Sequence, residues 1–91
     1  MAKFTKKQME WLVDFAAAQH RADCWHKWSS EEIRKENPDL KKHFEYYKNG
    51  CVCAVSAVIY ARKIGMTDKQ INECHEDLLF WSNSKVLKVG S

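Results

Sequence analysis

Apolar side chains recur along this chain at steps of three and four residues, the spacing that gathers them on one face of a helix, and no segment reads convincingly as a strand. Trp11, Phe15, Ala18, Ala22 and Trp25 make one such stripe. Met9, Val13, Ala16 and Cys24, interrupted by His20, make a second on the opposite side, which leaves a narrow polar wedge at Glu10, Asp14 and Arg21. Leu40, Phe44 and Tyr47 give a shorter stripe. From Cys51 to Ala61 the residues are almost all small or apolar, and Ala54, Ala57 and Ala61 leave room for a close helix neighbour.

Punctuation divides this pattern into five segments. Thr5 with Gln8, Ser29 with Glu32 and Thr67 with Gln70 have the spacing of capping boxes, in which a hydroxyl and a side-chain carbonyl satisfy each other's orphan amides. Asn37 and Pro38 read as an N-cap and a first-turn proline, Asn49 with Gly50 as a stop, and Gly65 as the left-handed residue that ends a helix. The expectation is an all-α, compact bundle of about five helices near 5–28, 30–36, 38–48, 51–64 and 68–81. A short tail over 83–91, loose or extended, completes it.

The chain has 91 residues, enough for one hydrophobic core and a single helical domain over 1–91. With 45% hydrophobic and 30% charged residues it has a globular composition. No run is long and apolar enough to span a bilayer and no secretory signal opens the chain, so a cytoplasmic location is expected. Cys24, Cys51, Cys53 and Cys74 are then free thiols. The net charge of +3 is uneven: Asp68, Glu73, Glu76 and Asp77 against Lys69 alone make 67–82 acidic within a mildly basic body.

Two helices that are apolar over most of their circumference exceed what so small a bundle can cover, and that surplus points to association, as a homodimer or with another protein. Trp11, Trp25 and Trp28 are candidate interface residues on the first helix. Tyr46 joins them, because it stands off the Leu40–Phe44–Tyr47 stripe and four residues from Lys42, as an aromatic beside a cation. Glu73, Glu76 and Asp77 form an acidic face whose later members oppose a helix macrodipole, a third candidate contact.

Ala61, Ile64, Gly65, Met66, Ile71 and Cys74 fall at the spacings of a helix-turn-helix, which this stretch of about twenty residues resembles. That resemblance implies a DNA-reading role for Arg62, Lys63, Lys69 and Asn72, although Asp68, Glu73 and Glu76 would face phosphates. Cys24 and His26, Cys51 and Cys53, and the adjacent Cys74 and His75 lack the ligand spacing of a zinc site, so no metal or cofactor is expected. No phosphate loop, nucleophile elbow or paired-histidine motif supplies catalysis. The sequence therefore favours a non-enzymatic protein-binding or inhibitory module. Its size suits the accessory proteins of phages and mobile elements that act on host nucleic-acid-processing or defence enzymes. A small helix-turn-helix regulator is the alternative.

Overall fold

The computed structural model describes residues 4–89, with side chains through residue 87, and every regular element among them is helical. Two long helices dominate. α1 spans Lys6–Ile33 and α2 spans Leu40–Ile64, and they lie antiparallel as a hairpin. Three short helices follow: α3 (Asp68–Cys74), α4 (Leu78–Ser82) and α5 (Lys85–Val89). α4 and α5 both pack on α2. The molecule measures 52 × 23 × 20 Å, its long axis close to the roughly 42 Å that a 28-residue helix spans.

The hairpin register is legible from paired residues. Lys63 lies over Trp11, Gly50 meets His26, His43 meets Ser29, and the Asp39 amide reaches Glu32. Phe15, Ala18 and Ala22 of α1 pack with Ala54, Ala57, Val58 and Ala61 of α2, and Ile71 and Leu78 close the core from the short helices. The alanines let the two backbones approach closely, while Ile71 and Leu78, both fully buried, each contribute roughly 2 kcal/mol of apolar burial.

Two of the three expected capping boxes form. Thr5 and Gln8 exchange bonds at the start of α1, and Thr67 and Gln70 do so at the start of α3. Gly65 ends α2 at φ 99°, with the Met66 amide donating to the Ala61 carbonyl. The third box does not form. Ser29 and Glu32 are buried inside an unbroken α1, where their side chains serve tertiary contacts instead of ending a helix.

The expected break at Asn49–Gly50 is absent as well, because Gly50 has a different task. A methyl group there would sit 2.7 Å from His26 Nε2, so the glycine gives room for a ring from the facing helix. With α2 continuous, the inward positions run in phase from the half-buried His43 and Tyr47 to the buried Gly50, Ala54, Ala57 and Ala61. Leu40 and Phe44, expected to be core, are instead exposed. The N-cap of α2 is Asp39, which accepts from the Lys42 amide, and not Asn37. The single helix expected over 68–81 divides at His75, and the tail expected to be loose or extended forms α5; residues 90 and 91 lie outside the described residues.

Candidate functional site

At the end of the hairpin where α1 passes into α2, three rings crowd together. Trp25 and Trp28 meet edge to face with centroids 5.1 Å apart, and Tyr46 of α2 lies 5.6 Å from Trp25 and 6.2 Å from Trp28. The three-residue step between the tryptophans sets them on the same side of α1. Tyr46 reaches them because α2 is continuous and in register. Together with Glu31, Glu32, Lys35 and Lys42 they line an open groove of about 390 Å³. Lys42 Nζ stands 5.7 Å over the Tyr46 ring.

A part-buried polar framework holds this end in shape. The Ser29 hydroxyl donates to the His43 carbonyl at 3.2 Å. His43 Nδ1 lies 2.8 Å from both the Ser29 carbonyl and the Ser29 hydroxyl; facing a carbonyl, Nδ1 is the protonated nitrogen and donates. Glu32 accepts from Lys35 Nζ at 3.1 Å and from the Asp39 amide at 3.2 Å, fastening the 34–39 connection to α1. The Lys35 ammonium, with the Asp39 amide, holds the Glu32 carboxyl below its ordinary range. Glu31, one residue earlier, has no ion-pair partner among the described residues.

No family model, curated protein or solved structure matches this chain. Its function has to be read from its own residues.

Of the interface residues expected from sequence, the groove unites Trp25, Trp28 and Tyr46. Trp11 is half-buried towards the opposite end of the hairpin, beneath the Lys63 ammonium at 5.9 Å. Glu73, Glu76 and Asp77 are exposed at the end of α3 and in the link to α4, outside the groove. Of the candidate DNA contacts, Arg62 pairs with Asp68 at 3.0 Å and Lys63 also lies 5.5 Å over Tyr60, while Lys69 and Asn72 are exposed on the seven-residue α3.

Directly beside the groove lies a site that the hydrophobic pattern does not reveal. His26, 6% exposed, is enclosed by Gly50, by the Tyr47 ring at 4.8 Å and by the Trp81 ring of α4 at 3.8 Å. Neither of its ring nitrogens has a hydrogen-bond partner among the described residues. Burial pushes its pKa down to about 4, against the opposing pull of Asp23, so the ring is neutral at pH 7. The signal was available in the phase of α1: Phe15, Ala18, Ala22, His26, Ser29 and Glu32 are its buried residues, and the polar half of that run has no hydrophobic signature.

The remaining thiols and imidazoles do not converge. Cys24 Sγ lies 3.6 Å from His20 Nε2, and His75 Nε2 lies 3.4 Å from Asp23. Cys51 is buried, which pushes its thiol up, and all four cysteines are free. Among the described residues, no three His, Cys, Asp or Glu side chains are close enough together to hold a metal ion.

Proposed function

We propose that this chain is a non-enzymatic protein-binding or inhibitory module that docks on its partner through the Trp25–Trp28–Tyr46 groove. The observation that supports it best is an uncovered cluster of three aromatic residues in a concave site with a charged rim. Trp and Tyr are the residues over-represented at energetically dominant interface positions, and a polar rim around them is the usual anatomy of such a patch. Trp28, 46% exposed, is the most accessible large part of that cluster.

The surface carries further apolar residues, Met9 and Val13 on α1 and Phe44, Val52 and Ile59 on α2, which fits a protein that spends part of its time covered. A helix-turn-helix role is less well supported. Arg62 is paired with Asp68 and Lys63 rests on aromatic rings, so two of the four cations and amides that role requires are engaged within the chain.

Affinity capture from host lysate after nuclease treatment tests the proposal. The wild-type chain is expected to retain a stoichiometric protein partner and Trp28→Ala to lose it. Loss of all bound material on nuclease treatment would overturn protein binding in favour of nucleic acid.

A further inference from the structure

We propose that His20 and Cys24 form half of a zinc site, which the same two residues of a second copy of the chain complete. Neither residue lines the aromatic groove, and the inference stands independently of the partner proposed above.

His20 and Cys24 are one turn apart in α1 and share a face of it. Cys24 Sγ lies 3.6 Å from His20 Nε2. Zinc–sulfur and zinc–nitrogen bonds of about 2.3 and 2.0 Å, opened to a tetrahedral angle, separate their two donors by about 3.5 Å. The side chains therefore already stand at chelating distance. On binding, the thiol gives its proton to solvent, and the thiolate and the imidazole lone pair both bind the metal. Imidazole with thiolate is a donor set for zinc and not for magnesium or calcium, which take oxygen. His26, the histidine nearest Cys24 in sequence, is turned into the core and takes no part.

One chain stops at two ligands. Asp23 and His75 engage each other at 3.4 Å, and among the described residues no third His, Cys, Asp or Glu joins the pair. A structural zinc site is closed by four ligands, and a twofold axis doubles one His and one Cys into two of each. The helix face that leads to the pair suits a second copy. Met9, Val13, Ala16 and His20 follow each other at steps of four, three and four residues, the spacing of a two-helix seam, and all four are exposed. With two α1 helices parallel and in register, both His20–Cys24 pairs meet at the end of that seam. Its three apolar side chains per copy bury well under the roughly 1,000 Å² of a stable interface. The seam therefore aligns the copies and the metal holds them.

The test is sedimentation of the purified chain under reducing conditions, in EDTA, magnesium chloride or zinc chloride, with metal analysis of each species. The expected result is a monomer in EDTA or magnesium and a dimer in zinc, with one zinc per two chains. Cobalt(II) in place of zinc should give the intense visible absorption of a tetrahedral thiolate site. His20→Ala and Cys24→Ser, both outside the core, should each abolish the dimer and weaken zinc binding by about 100-fold without changing the melting transition in EDTA. Cys74→Ser, at an exposed thiol outside the site, should dimerise as the wild type does. A dimer in EDTA, a zinc dimer that survives Cys24→Ser, one zinc held per monomer, or no zinc retained would each overturn the proposal.

Discussion

Trp25 and His26 are neighbours in sequence, and each stands in a cluster of aromatic rings, yet one cluster is open and the other is sealed. His26 is enclosed by Tyr47, Gly50 and a ring from α4, Trp81. Trp25 is grouped with Trp28 and Tyr46, and among the described residues no ring from the C-terminal helices stacks on them or lines their groove. The difference teaches what a small hairpin does with its aromatic residues. Where a third helix is available they become core; where it is not, they become surface that another molecule can cover.

The sealed cluster makes the largest stability prediction. The His26 pKa falls from 6.5 to about 4 on folding, so the unfolded chain binds a proton that the folded chain refuses. Stability is complete above pH 6.5 and falls as pH drops towards 4.5, by about 2 kcal/mol. Denaturant melts at pH 7 and pH 4.5 measure the loss, and His26→Phe should remove most of it. An equal loss in both proteins would place the pH dependence elsewhere.

Gly50→Ala tests the same socket by volume. Alanine is the better helix former by about 1 kcal/mol, yet its methyl would meet the enclosed imidazole, so the net expectation is destabilisation by about 2 kcal/mol. In a His26→Ala background the sign should reverse. Stabilisation by Gly50→Ala in the otherwise wild-type chain would mean that the socket is loose. Ser29→Ala, which removes the hydroxyl between the helices, should cost about 1 kcal/mol in the same melts. Trp28→Ala should cost less than about 1 kcal/mol, since its ring is largely open to solvent.

These contrasts also mark what the sequence could disclose. Helical class, the Thr5 and Thr67 caps and the Gly65 stop are local, set by residues three or four apart, and they were readable. The errors share one cause. Ser29–Glu32 and Asn49–Gly50 carry local signals for an end and a stop, but their side chains, or the lack of one, serve the facing helix, which local patterns do not contain. Breaking α2 at Gly50 then lost the phase that turns His43 inward along with Tyr47, the one member of the expected Leu40–Phe44–Tyr47 stripe that does face inward. Trp25, Trp28 and Tyr46 were each nameable from the sequence as candidate interface residues. Their convergence depends on the hairpin register, which follows from Gly50 admitting His26.

The open cluster is the centre of the functional account, and adjacent residues offer its most direct test. Trp28 faces the groove and Ser29 faces α2, so parallel capture with Trp28→Ala and Ser29→Ala separates recognition from folding. The expected result is a nuclease-resistant partner held by the wild-type chain and by Ser29→Ala and lost by Trp28→Ala. A partner held equally by Trp28→Ala would contradict the account.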